Sequence, residues 1–152
     1  METKTLHKTI TINAAPQKVW QVLLESPYIE EWYAEFGEDM KMETDWSQGS
    51  TYRIVGKDGW GMTGKIAENT PNKTLSIEYT GIVNGNKDDF DSPEAKQWSG
   101  NRETYRLSET GEGTKLDIEL GTFDKYYDMM SDMWDRALAT IKTLSEQTPN
   151  KP

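Results

Sequence analysis

FDKYYDMMSDMWDRALATIKTLSE, residues 123–146, decides the architecture. At 100° per residue, Tyr126, Tyr127, Met130, Met133, Trp134, Ala137, Leu138, Ile141 and Leu144 share an arc of about 140°. Asp128, Asp132, Asp135, Lys142 and Glu146 lie outside it. This spacing predicts one long amphipathic helix whose apolar stripe needs a partner surface. The chain before it supplies one, because from Met40 to Leu120 the apolar residues recur every second position. The runs are Met40–Met42, Tyr52–Ile54, Trp60–Ile66, Leu75–Tyr79, Tyr105–Leu107 and Leu116–Leu120. Gln48-Gly49-Ser50, Lys57-Asp58-Gly59, Thr70-Pro71-Asn72 and Gly111-Glu112-Gly113 separate four of their junctions as turn signals. Further back, Leu6, Ile10 and Ile12 alternate with His7, Thr9 and Thr11, which adds a first strand. Pro16 then opens a helix carrying Val19, Trp20, Leu23 and Leu24. Ser26 is expected to cap a second short helix, with Pro27 at its first position and Tyr28, Ile29 and Trp32 on it.

The expected order is strand, two short helices, six strands, long helix: a single α+β domain over 1–152. In it an antiparallel sheet of about seven strands has one solvated face and one face covered by the C-terminal helix. Asn84–Ser99 is expected to be a long irregular connection between the fifth and sixth strands. Thr148–Pro152 reads as a polar tail that frays.

Composition excludes several function classes. Seventeen Lys and Arg against 26 Asp and Glu give a net charge of −9, which argues against nucleic-acid or anionic-membrane partners. With no cysteine and one histidine, thiolate nucleophiles, Cys-based metal sites and multi-His metal sites drop out, so no metal or cofactor is expected. No apolar run approaches the ~18 residues of a membrane span. Met1–Ile10 lacks the apolar core and cleavage site of a signal peptide, so the cytoplasm is the expected compartment. Apolar residues make up only 34% of the chain, but six Trp, seven Tyr and seven Met are among them. Such bulky, adaptable side chains suit either a small core or a lined cavity.

Three short motifs carry little. Gly59-Trp60-Gly61-Met62-Thr63-Gly64 matches the dinucleotide-binding glycine pattern, but alternation continues into Lys65 and Ile66, so a strand follows where a phosphate site needs a helix. Asn84-x-Asn86-x-Asp88 opens like a calcium loop, but Asp89 stands where glycine is needed and Ala95 where a bidentate Glu is needed. His7 lies on the outward face of the first strand, away from any pocket.

The order of elements and several local patterns resemble the START-like, Bet v 1-like (SRPBCC) superfamily, and within it the family named for the activator of Hsp90 ATPase homologue. The matching pieces begin with Ile10-Thr11-Ile12-Asn13-Ala14-Ala15-Pro16 running into Val19-Trp20, then Trp32. They continue with Gly64-Lys65-Ile66 leading to Pro71-Asn72-Lys73-Thr74-Leu75, then Gly113-Thr114-Lys115-Leu116 and the long helix with Trp134, so that the likeness spans Thr5 to Glu146. The resemblance implies a helix-grip fold with a cavity between sheet and long helix. It also implies that the second half of that helix packs on the two short helices, leaving the first half over the wider part of the sheet.

On that frame the expected ligand-binding residues are Tyr52, Trp60, Met62, Tyr79, Glu103 and Tyr105 from the strands and Tyr127, Met130 and Trp134 from the helix. Phe90 and Trp98 in the long connection are placed as a lid. The same stripe reads equally as ordinary core. Glu103 stands out because parity with Tyr105 and Leu107 turns a carboxylate inward, where it needs a hydrogen-bonding partner or becomes a polar anchor of the cavity wall. Three functions remain open. The first is binding of a small apolar or aromatic molecule. The second, by analogy with the co-chaperone relatives, is contact with a protein such as a chaperone, with a homodimer as a further expectation. The third is cyclase- or hydrolase-type catalysis, for which no nucleophile–base pair is visible and no catalytic residue is assigned.

Overall fold

In the computed structural model, which describes residues 3–147, strand β1 (Thr3–Ile12) pairs antiparallel with β8 (Gly113–Phe123) from Thr3 opposite Phe123 to Ile12 opposite Thr114. Thr148–Pro152, the expected tail, lies outside the described residues. Leu6 and Ile12 are fully buried while Thr5, His7, Thr9 and Thr11 are exposed, as the alternation requires.

Helix α1 (Pro16–Leu24) starts at its proline and buries Val19, Val22 and Leu23. Helix α2 (Tyr28–Tyr33) buries Ile29, Trp32 and Tyr33, and the Trp32 indole N–H donates to the Val22 carbonyl at 3.0 Å, fastening α2 to α1. The expected Ser26 cap is corrected: Pro27 holds the cap position, and the Ser26 hydroxyl donates to the Glu30 carboxylate at 2.8 Å instead of accepting a backbone N–H. The helix begins at Tyr28, one residue later than expected, so Ser26 lies before the cap position.

The chain then builds β2 (Lys41–Glu43), β3 (Thr51–Val55), β4 (Gly61–Thr70), β5 (Thr74–Asn84), β6 (Lys87–Asp89), helix α3 (Pro93–Trp98), β7 (Arg102–Thr110), β8 and helix α4 (Asp124–Glu146). The strand order is β1-β8-β7-β5-β4-β3-β2, all antiparallel, with β6 paired to β5 beside this path. All seven expected strands are present. The eighth, β6, and α3 correct the reading of 84–99 as irregular. β5 turns at Gly85 and Asn86, both at positive φ, and returns as β6, as a two-residue hairpin requires. Ser92 accepts from the Ala95 N–H at 3.1 Å and Pro93 occupies the first turn, so α3 is properly started.

The glycine pattern at 59–64 is a turn followed by a strand. A Cβ on Gly61 would lie 1.8 Å from the Ile54 carbonyl oxygen, and one on Gly64 would lie 2.2 Å from that of Glu78. These glycines let neighbouring strands close up, and register shifts beside Gly64 and after Ile66 bend β4. The second half of α4 buries Ala137, Leu138, Ile141 and Leu144 beside α1, α2 and β1. Its first half is only half-buried at Tyr126, Tyr127, Met130 and Met133. That difference along one helix opens the space described next.

Candidate functional site

A cavity of about 670 Å³ lies between the first half of α4 and the sheet. α2 and the turn after it contribute Tyr33, Phe36 and Met40; β3 and β4 contribute Tyr52, Ile54 and Met62; α4 contributes Tyr126, Met129, Met130, Met133 and Trp134. Trp98 of α3 forms one wall. Its ring stacks on Tyr126 at 6.1 Å and meets Phe123 edge-on at 4.8 Å. The mouth carries Glu38, Lys57, Asp58, Glu94 and the exposed Trp60 and Met129.

The inner end is polar. Glu103, on β7, is 7% exposed, lines the cavity, and makes no ion pair among the described residues. The Tyr79 hydroxyl donates to one carboxylate oxygen at 2.9 Å, and the Tyr105 hydroxyl donates to the other. Beside them the Tyr33 and Tyr52 hydroxyls share a hydrogen bond of 2.8 Å. Burial pushes the Glu103 carboxyl above its ordinary 4.5, while the two phenolic donors pull it the other way. Burial also raises all four tyrosines, and the neighbouring Glu103 raises them further, so every phenol stays protonated and able to donate. The inward carboxylate predicted from parity therefore meets phenols rather than a cation. Strand pairing explains the arrangement: Glu103 lies opposite Ile77 of β5, two residues from Tyr79, and two residues before Tyr105 on its own strand. All three side chains share one face.

Of the residues singled out from the sequence, Tyr52, Trp60, Met62, Tyr79, Glu103, Met130, Trp134 and Trp98 line the cavity. Tyr105 does not; it is buried behind Glu103, with its ring 5.9 Å from Trp134 and 6.4 Å from Trp32. Tyr127 also stands outside the lining, because α4 leans on β1 there and the Lys4 ammonium sits 4.4 Å from its ring. Phe90 is half exposed and covers the spot left open by Gly81, whose Cβ would come within 2.8 Å of the ring. Of the two lid candidates, only Trp98 thus reaches the cavity, and it does so as a buried wall. Sequence reasoning missed Tyr33, Phe36, Met40, Ile54 and Met129. Tyr33 follows the buried Trp32, and only tertiary packing turns both inward.

The weaker motifs find ordinary explanations. Asp88 pairs with Arg53 at 2.8 Å, and Arg53 also donates to the Asn86 carbonyl at 3.0 Å. Among the described residues no group of three or more His, Cys, Asp or Glu side chains is placed to hold a metal ion. His7 is exposed, 3.5 Å from Asp117 on β8. No helix among the described residues is long and apolar enough to cross a membrane.

Comparison with solved structures finds the same fold. Protein MLL2253 from Mesorhizobium loti superposes with a TM-score of 0.76 at 22% identity, covering 97% of this chain and 100% of that one. The Aha1 dimer from Colwellia psychrerythraea superposes with a TM-score of 0.71 at 21% identity, covering 97% and 99%. At such identities the likeness concerns architecture alone. No curated protein matches the chain. The family model described as polyketide cyclase / dehydrase and lipid transport matches residues 3–145, nearly the whole chain. With its helix-grip layout of sheet, two short helices and long C-terminal helix, the chain belongs to that family, within the START-like SRPBCC superfamily expected from its sequence.

Proposed function

We propose that the chain binds a small hydrophobic or aromatic molecule in the cavity between α4 and the sheet. The observation that carries this reading is the cavity itself. Its volume of about 670 Å³ falls within the range of small-molecule sites, and its walls are aromatic and methionine-rich with a few convergent polar groups at one end. Methionines on α4 adapt to ligand shape, and the aromatic rings give broad contact at low entropic cost. Family membership supports the same reading, since its description includes lipid transport.

The test is thermal unfolding, followed by tryptophan emission, against fatty acids, sterols, flavonoids and polyketide-like aromatics. A ligand at 100 times its dissociation constant stabilises the native state by about 2.7 kcal/mol, which is a rise of about 5–10 °C in Tm for a chain of this size. A flat response across all four classes overturns the reading. A second reading, contact with a protein partner, draws support from the likeness to the Aha1 dimer. Sedimentation of the purified chain and pull-down of a chaperone test it, and a monomer that captures none removes it.

A further inference from the structure

Resting on the cavity reading above, we infer that the ligand carries a hydroxyl as its deep polar group and bears no negative charge, the hydroxyl donating to Glu103 and accepting from the Tyr33–Tyr52 pair.

Two counts of hydrogen-bonding capacity lead there. A carboxylate offers about four acceptor positions on its two oxygens. Tyr79 occupies one on the first oxygen and Tyr105 one on the second, so each oxygen of the cavity-lining Glu103 retains acceptor capacity. The Tyr33 and Tyr52 hydroxyls hold two protons and share one hydrogen bond, so one proton has no acceptor among the described residues. The inner end of the pocket thus offers a spare acceptor beside a spare donor. A hydroxyl is the smallest group that satisfies both, since it donates one hydrogen bond and accepts others.

Charge points the same way. The ionisable side chains lining the cavity, tyrosines aside, are Glu38, Asp58, Glu94 and Glu103 against Lys57 alone. Lys57 stands at the mouth with its side chain 64% exposed, 4.0 Å from Glu38, so no cation reaches the inner end. A ligand carboxylate placed against the buried Glu103 would therefore bring a second negative charge to the inner end with no cation to offset it. Fatty acids and other anionic amphiphiles are disfavoured in that orientation, although the cavity is apolar enough for their tails.

The experiment uses one ring system with three head groups: 1-hydroxypyrene, pyrene and pyrene-1-carboxylate, titrated into the full chain by calorimetry and by tryptophan quenching. In the unmodified protein 1-hydroxypyrene should bind at least about tenfold tighter than pyrene, the lower end of what one hydrogen bond to a charged acceptor contributes, and the carboxylate should bind weakest. In Glu103→Gln the hydroxyl preference should shrink to about threefold or less, and the carboxylate should gain about tenfold, because the repelling charge is gone. If all three bind the unmodified protein equally, or the carboxylate binds best, this inference is overturned and the apolar-cavity reading stands. If none of them binds, this inference falls, and the cavity reading is decided by the four-class thermal panel above. The head-group ranking needs no variant, so it decides the matter whatever Glu103→Gln does to folding.

Discussion

Tyr105→Phe removes one hydroxyl and leaves the ring where it is, packed against Trp32 and Trp134. The lost group is one of the two donors that hold the buried Glu103 carboxylate. Hydrogen bonds to charged groups contribute about 1.5–3 kcal/mol, and at 1% exposure Tyr105 leaves no room for water to replace its hydroxyl. The expected cost is therefore about 2 kcal/mol at neutral pH, which corresponds to a fall of about 4–8 °C in Tm. In a Glu103→Gln background the phenol faces a neutral amide, and its removal should cost only about 0.5–1.5 kcal/mol. The difference between the two backgrounds, about 1 kcal/mol, is the coupling between phenol and carboxylate. Urea unfolding of the four proteins of this cycle, read by tryptophan emission, measures it directly. Costs that agree within about 0.5 kcal/mol in the two backgrounds would mean that the sites are independent. The phenol–carboxylate network would then be a matter of proximity without energy.

Other consequences follow from the same geometry. Glu103 is protonated more readily in the folded chain than in the unfolded one, so its contribution to stability is full below its unfolded pKa near 4.5 and is lost as pH rises through the folded value. Chemical unfolding as a function of pH should show stability declining above about pH 4.5 from this group, with a shallower decline in Glu103→Gln. Asp45, Asp89 and Glu146, all held below their usual range by hydrogen bonds, act oppositely and lose their contribution as pH falls through their folded values. Gly61→Ala should cost about 3 kcal/mol or more, because its Cβ meets the Ile54 carbonyl at 1.8 Å. Gly111→Ala, with nothing within 4 Å, should stay within about 0.5 kcal/mol in the same urea unfolding. Trp98→Ala should cost about 3–5 kcal/mol by removing the centre of the cluster with Ile82, Ala95 and Phe123. The exposed Asp135→Asn change, which breaks the pair with Lys8, should cost less than about 1 kcal/mol.

The strands and the long helix were legible because each has one wet face and one dry face. Alternation every two residues, or recurrence near 3.6, is then written directly into the order of side chains. The same parity turned Glu103 inward before any partner was known. β6 left no such trace, since Lys87, Asp88 and Asp89 are all polar. α3 is shorter than two turns and shows little period, but Ser92-Pro93 is a helix start, and Ala95 and Trp98 are spaced as one buried face. Tyr127 shows a different limit. Its angle on α4 matches that of the cavity residues, but a helical wheel does not tell which strand lies beneath each turn, and at Tyr127 it is β1 with Lys4. Phe90 belongs to no period, and its position is set by the absence of a side chain at Gly81.

One edge of β5 serves two masters. Its first half pairs with β7, and its last residues pair with β6. The chain leaves β5 after Asn84 and comes back to it at Tyr79, whose backbone accepts from the Gly100 N–H at 2.8 Å and donates to the Asn101 carbonyl at 2.9 Å. Residues 85–101 are therefore an excursion that returns to the strand it leaves, and its Ala95 and Trp98 form a small cluster with Ile82 of β5 and Phe123 of β8. They carry one wall of the cavity, and the main core does not pass through them. Substitutions, insertions or deletions in this excursion would reshape what the pocket admits while the sheet keeps its register. The shape of the cavity is thus open to change without rebuilding the scaffold that holds it.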